Sequence, residues 1–274
     1  MNHVIFREYD IRGVYGKDYD ESFAHDLARA HVRYIQKKTG KQNLRLSIGH
    51  DARVSSPSLV KAMVDGYVSA GAHVFKLGLV TSPICYFSTF QIKDLDGAMM
   101  VTGSHNPPEY NGFKVSVGNT TIFGDEIQAL KEIILSKDFP AGKGSAEDYD
   151  ILTPYVARYR DEFNSLKAIP VVLDCGNGAA GCIVRKLYEA AGLKPRILFE
   201  QPDGKFPNHH PDPTVEKNLQ DLIREVKASG ARVGIGFDGD ADRIGVVDDT
   251  GRMLYGDELM MLVSRDILRE HKGA

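Results

Sequence analysis

Cysteine, long apolar runs and a charge excess of either sign are all scarce in this chain. Only three cysteines occur in 274 residues, Cys85, Cys175 and Cys182, each in a different context and none at paired spacing. That count fits reduced, buried thiols and rules out a disulfide framework. The longest uncharged stretch, Leu77 to Ile92, carries Thr81, Ser82, Pro83, Ser88, Thr89 and Gln91, and is too short and polar to span a bilayer. The N-terminal MNHVIFREYDIRG places Arg7, Glu8 and Asp10 where a secretory signal needs an apolar run. A soluble, cytoplasmic protein with no membrane partner is expected. Thirty-four Lys and Arg against 37 Asp and Glu leave a net charge of −3, so no face is forced to be basic and nucleic acid is not an expected partner. The 42% hydrophobic content excludes a disordered chain. At roughly 100–150 residues per domain, the length predicts two domains and a remainder.

Helix-period and strand-period segments alternate along the whole chain. Residues 21–39 put Phe23, Leu27, Ala30, Val32, Tyr34 and Ile35 on one side and end at Gly40, the pattern of a helix with a glycine stop. Strands are predicted at 44–49, 73–78, 97–103 and 113–117, and helices at 57–70, 83–92 and 124–136. The stretch 137–150, rich in Gly, Ser, Pro and charge, reads as a linker. A second series follows: helix 151–166, strand 169–174, helix 179–191, strand 195–200, helix 215–229, strand 231–237, a hairpin over 243–255 and an amphipathic helix at 256–271. The fold class is α/β: two consecutive domains with mixed, largely parallel sheets covered by helices.

Three loops hold residues suited to chemistry. VTGSHNPPEYNGFK (101–114) empties from a strand, and sites in open α/β sheets form at strand C-termini. Ser104 stands between Gly103 and His105, and main-chain N–H groups with Lys114 suit a phosphate. The alternative is a stiff turn fixed by Pro107 and Pro108, with Asn111-Gly112 closing a hairpin. In GFDGDADR (236–243), Asp238, Asp240 and Asp242 alternate at i, i+2 and i+4. Three carboxylates that close repel one another unless a cation neutralises them. An EF-hand is excluded by Arg243 at its sixth position and by flanking strands; Mg²⁺ bridged to a phosphate suits the spacing. The alternative is a solvated acidic turn.

The third loop, DCGNGAAG (174–181), reads GxGxxG from Gly176 to Gly181 after a strand, with Glu200 ending the next strand. That is the context of a dinucleotide site, and an NAD(P)-dependent oxidoreductase is the competing function. Against it, Asp174 sits where a pyrophosphate would lie; the alternative is a packing turn. Lesser candidates are Arg7 and Arg12 as phosphate contacts, His209–His210 as metal ligands, Asp51 and Arg53 as a structural pair, and Ser55 or Ser56 as a helix cap.

FREYDIRG (6–13), GHDARVSS (49–56), TGSHNPPEYNGFK (102–114), DCGNGAAG (174–181), FPNHHPDP (206–213) and DGDADR (238–243) together resemble the α-D-phosphohexomutase family, nearest its bacterial phosphomannomutase/phosphoglucomutase branch. The resemblance implies an enzyme that moves a phosphoryl group between the 1- and 6-hydroxyls of a hexose, mannose or glucose. Its partners would be hexose phosphates and a hexose 1,6-bisphosphate intermediate. It implies Ser104 as the phosphoserine and Asp238, Asp240 and Asp242, with the serine phosphate, as Mg²⁺ ligands. His105, Lys114, Arg243 and Arg12 would lie around the transferring group, and GNGAAG becomes a packing turn. Family members have four domains of about 100 residues or more each. The expected divisions are 1–145 with the phosphoserine loop, 146–252 with the Mg²⁺ loop, and 253–274 as the start of a truncated third domain. A fragment of that extent is expected to turn over poorly, and a non-catalytic phosphosugar- or metal-binding fragment is the remaining alternative.

Overall fold

The computed structural model describes residues 3–273. In chain order, the first block comprises β1 (Ile11–Val14), α1 (Glu21–Thr39), β2 (Arg45–His50), α2 (Ser56–Ser69), β3 (His73–Leu79), α3 (Ser82–Gln91), β4 (Gly97–Val101), β5 (Tyr110–Val117), β6 (Thr120–Thr121), α4 (Asp125–Ser136) and β7 (Ser145–Asp148). The second comprises α5 (Leu152–Glu162), β8 (Val171–Asp174), α6 (Val184–Ala190), β9 (Arg196–Leu198), α7 (Gln220–Ser229), β10 (Val233–Phe237), β11 (Ile244–Asp248), β12 (Met253–Leu254) and α8 (Gly256–Glu270).

Each block builds one mixed sheet. The first has the order β1-β5-β4-β2-β3-β7, with β6 paired to β5. Its parallel pairs are β4/β2, β2/β3 and β3/β7, while β1, β4 and β6 meet β5 antiparallel. The second has the order β12-β11-β10-β8-β9, parallel across β10/β8/β9 and antiparallel across β10/β11/β12. Alternation sorts the core into two faces. In β4, Met99 and Val101 join the cluster under α1, α2 and α4, whereas Ala98 and Met100 join a cluster with Ile84, Ile151 and Leu187. That second cluster contains side chains from both blocks, so the two sheets share apolar packing.

Local signals fix the ends of α1. Asp20 caps it, its side chain accepting from Phe23 N, and Gly40 stops it at φ 75°. Several elements depart from the expected bounds. Residues 145–148, within the stretch expected as linker, form β7 on β3, an edge strand whose four residues are all exposed. Asn111-Gly112 closes no hairpin but lies inside β5, opposite Arg12 and Gly13. The helices expected from 179 and 215 begin as 3-10 turns, Ala179–Cys182 and Glu216–Leu219, before α6 and α7. α8 buries none of its residues; Met260, Met261, Leu262, Val263, Ile267 and Leu268 are all exposed. No helix among the described residues is long and apolar enough to cross a membrane.

Candidate active site

Strand pairing brings the loops of interest together. Because β2 and β4 are parallel neighbours with His50 opposite Val101, the segments after them, Asp51–Ser55 and Thr102–Glu109, lie side by side. Asp51 organises the junction. It accepts from Thr102 Oγ1 at 2.8 Å, Gly103 N at 3.2 Å, Ser56 Oγ at 2.7 Å and Arg53 Nε at 3.2 Å. Arg53 is fully buried, and its guanidinium donates to the main-chain oxygens of Ser104 (2.8 Å), Asn106 (2.6 Å), Pro107 (2.5 Å) and Tyr110 (2.7 Å). Burial, and to a lesser extent the Arg12 charge, lower its pKa, and Asp51 opposes that. These bonds hold Ser104 in the left-handed region at φ 49°, a conformation costly for a residue with a Cβ.

The second block meets this loop at Ser104. Its Oγ donates to Asp238 Oδ2 at 2.7 Å. Gly239 passes so close that a Cβ there would lie 2.4 Å from Ser104 O, which leaves glycine as the residue that fits. Asp238 Oδ1 accepts from the main-chain N–H groups of Asp242 and Arg243 at 3.0 and 3.1 Å, folding the acidic loop back on itself. Lys114, reaching from β5, donates to Asp240 Oδ2 at 2.6 Å and Asp242 Oδ2 at 2.5 Å. Arg243 Nη1 donates to His105 Nδ1 at 2.6 Å. Arg12, reaching from β1, pairs with Asp10 at 2.5 Å and donates to Asn106 Oδ1 at 2.9 Å.

The three aspartates offer ligand atoms within 4.8 Å of one another, the one such acidic cluster among the described residues. Burial and the charges of Asp240 and Asp242 push the Asp238 carboxyl well above the usual range. Burial opposes charge on Asp240 too, but Lys114 outweighs it and holds that carboxyl low. Lys114 in turn is disfavoured by burial, yet the two aspartates raise its pKa. Burial, then Arg243, lower that of His105, so it stands as a neutral acceptor. Asp240 Oδ1 is buried with no hydrogen-bond partner, an orphaned anionic oxygen beside two further carboxylates. Hard oxygen donors with one oxygen left unpaired fit a divalent cation.

Other candidates fall elsewhere. Arg7 is exposed. His209 Nε2 bonds Asp174 at 3.0 Å and its Nδ1 faces His210 O, so its ring is committed to the loop. The GxGxxG turn is filled by protein: Ala179 N donates to Gly239 O at 2.9 Å, and a Cβ on Gly181 would lie 1.7 Å from Glu200 O. Glu200 is bidentate to Arg185 at 2.5 and 2.8 Å. The turn is a packing element, and nothing there favours a dinucleotide. Thr102, whose Oγ1 donates to Asp51 and accepts from Ser104 N at 2.8 Å, and Ser82, which bonds Asp240, escaped the sequence reading, because a lone hydroxyl beside a strand or helix end looks like any other.

A serine-bearing loop and an acidic loop, each at the C-terminal edge of its own mixed α/β sheet and meeting at a shared seam, define the class. Residues 3–141 match the model for phosphoglucomutase/phosphomannomutase, alpha/beta/alpha domain I, and residues 153–251 match that for domain II. The chain belongs to the phosphoglucomutase/phosphomannomutase family. It is 43% identical to a phosphomannomutase/phosphoglucomutase of Pseudomonas aeruginosa and 39% identical to a phosphoglucomutase of Neisseria meningitidis, in each case over 98% of this chain and 58% of the relative. A crystal structure of a phosphoglucomutase/phosphomannomutase family protein from Burkholderia thailandensis superposes with a TM-score of 0.95 at 40% identity, covering all of this chain and 61% of that one. The chain thus spans less than two thirds of the length of these relatives.

Proposed function

We propose that this chain carries the phosphoryl-transfer half of a hexose-phosphate mutase that interconverts hexose 1-phosphate and hexose 6-phosphate, with mannose or glucose as the sugar. The observation that supports it most is Ser104 Oγ, held in a strained backbone and hydrogen-bonded at 2.7 Å to one of three clustered aspartates. In this reading Ser104 carries the phosphoryl group, gives it to the sugar hydroxyl to form a 1,6-bisphosphate, and takes back the other phosphate. Asp238, Asp240 and Asp242 would hold Mg²⁺, which supplies Lewis-acid neutralisation of phosphoryl charge when bound.

The chain's own residues supply the rest. Phosphoryl transfer demands positioning and charge neutralisation above all. Lys114, on Asp240 and Asp242, and Arg243, on His105, bring cations to the seam where the equatorial oxygens would develop charge. Arg12 extends that positive rim. His105 lies 3.3 Å from Ser104 Oγ, and its Nδ1 accepts from Arg243 at 2.6 Å, so it holds that guanidinium beside the serine. The units proposed are 1–145, 146–252 and 253–274. Remote substrate contacts supply binding energy that catalysis draws on, so turnover by this chain alone is expected to be poor. Intact mass after incubation with glucose 1,6-bisphosphate tests the reading. One added phosphoryl group is expected on the wild type and none on Ser104→Ala; equal labelling of both sinks the assignment.

A further inference from the structure

We propose that Ser82 is the positioning residue of the cation site: it turns Asp240 so that one carboxylate oxygen is kept for the metal. The inference rests on reading the aspartate cluster as a divalent-cation site. Ser82 opens α3, where Thr81 caps the helix and Pro83 follows. Its main-chain N–H donates to Asp240 O at 2.9 Å, and its Oγ donates to Asp240 Oδ2 at 2.5 Å. Both residues are completely buried.

The two oxygens of Asp240 are therefore treated differently. Oδ2 receives Ser82 Oγ and, at 2.6 Å, Lys114 Nζ. Oδ1 receives nothing and is buried. A half-turn of the carboxylate about its last bond gives the same arrangement with the oxygens relabelled, but any intermediate orientation would strip the Ser82 hydroxyl of its acceptor in a dry interior, so the carboxylate plane is held with one oxygen turned to the cluster. Lys114 is a weaker guide. Its stem is long, and its ammonium is divided among Asp240, Asp242 and, at 3.2 Å, Ser82 Oγ. Ser82 has a short side chain on a helix end and is held at two points of the same aspartate. It also belongs to the first block, whereas Asp240 belongs to the second. The set of the metal ligand is thereby tied to the block that presents Ser104.

Groups that hydrogen-bond a ligating carboxylate from outside are part of the metal site, and their loss costs roughly 10- to 100-fold in metal affinity. Ser82→Ala removes no charge, so the electrostatic pull on a cation is unchanged and a loss of affinity reports orientation. Mn²⁺ binding to the 274-residue chain, followed by electron paramagnetic resonance or calorimetry, tests it. Ser82→Ala is expected to bind roughly tenfold more weakly while staying folded in chelator, its melting temperature lowered by the loss of one buried hydrogen bond, and Ser82→Thr to bind as the wild type does. Equal affinity in Ser82→Ala, or a loss in Ser82→Thr as large as in Ser82→Ala, overturns the proposal while leaving the cation site standing. A wild type that takes up no Mn²⁺ removes the cation reading itself, and the inference with it.

Discussion

The Arg53 guanidinium donates to the main-chain oxygen of Ser104 at 2.8 Å, so the candidate nucleophile is held through its backbone by a side chain that never reaches its hydroxyl. The same guanidinium faces the ring of Phe206 at 5.3 Å, and Gly204 lies against the main chain of residues 52–54. One buried cation thus joins the serine loop, the segment after β2 and a loop of the second block.

Replacing Arg53 by Met should cost on the order of 3–5 kcal/mol, the range for breaking a buried ion pair. The four carbonyl oxygens it serves would lose that donor, and of them Pro107 O keeps Tyr110 N at 3.0 Å. Arg53→Lys keeps the charge, but one ammonium cannot serve four diverging carbonyls, and it should recover less than half of the loss. Urea denaturation of the three proteins measures both; a Met variant within 1 kcal/mol of wild type, about the median effect of any substitution, would refute this account.

Gly239→Ala tests the seam directly. A methyl group 2.4 Å from Ser104 O must force the two loops apart, since the atom it meets is main chain. We expect a loss of roughly 1–3 kcal/mol, as for other overpacked sites. The phosphoryl labelling of Ser104 should fall as well, because the bond to Asp238 lengthens. Wild-type stability together with wild-type labelling would mean that the loops accommodate the methyl freely.

The chemistry was more legible in the sequence than the scaffold that aims it. Asp238, Asp240 and Asp242 stand out because alternation at i, i+2 and i+4 is visible without coordinates, and Ser104 because two prolines and a glycine mark its loop. β7 was hidden because SAED has no apolar period: an exposed edge strand pairs through its backbone and leaves no hydrophobic signature. β1, IRGV, was hidden by a glycine and an arginine in a four-residue run. Arg53 read as half of a salt bridge, since its four carbonyl partners, up to 57 residues away, are set by the β2–β4 pairing. The GxGxxG motif misled for a related reason. Its spacing is that of a phosphate loop, but here tertiary contacts to Gly239 and Glu200 fill the space.

The buried His31 gives an acid-side prediction. Tyr67 Oη bonds its Nδ1 at 2.9 Å, and its Nε2 faces Ser116 O at 3.0 Å, an arrangement that serves the neutral ring. Burial, only partly offset by the Ser116 carbonyl, lowers its pKa from 6.5 to about 4. The unfolded chain therefore binds the proton more readily between those values, and the contribution is full above pH 6.5 and lost as pH falls towards 4. Between pH 7 and pH 5 the wild type should lose about 2 kcal/mol more than His31→Gln, by linkage. Urea titrations at both pH values check the difference; parallel losses would mean that His31 does not drive it.

Metal removal should be visible as stability. A cation that binds only the folded chain stabilises it by about 2.7 kcal/mol when present at 100 times its dissociation constant. The orphaned Asp240 Oδ1 gives such a cation a ligand that no protein donor contests. Melting temperature should therefore rise on moving from chelator to millimolar Mg²⁺, and the rise should disappear in Asp240→Asn. That variant should start from a lower melting temperature in chelator, because Lys114 and Ser82 Oγ would meet a neutral amide in place of a carboxylate, so the Mg²⁺-dependent rise is what is compared. Lys114 would still pair with Asp242, so the seam need not open. A melting temperature in Asp240→Asn that climbs with Mg²⁺ as steeply as in the wild type would place the cation away from these aspartates.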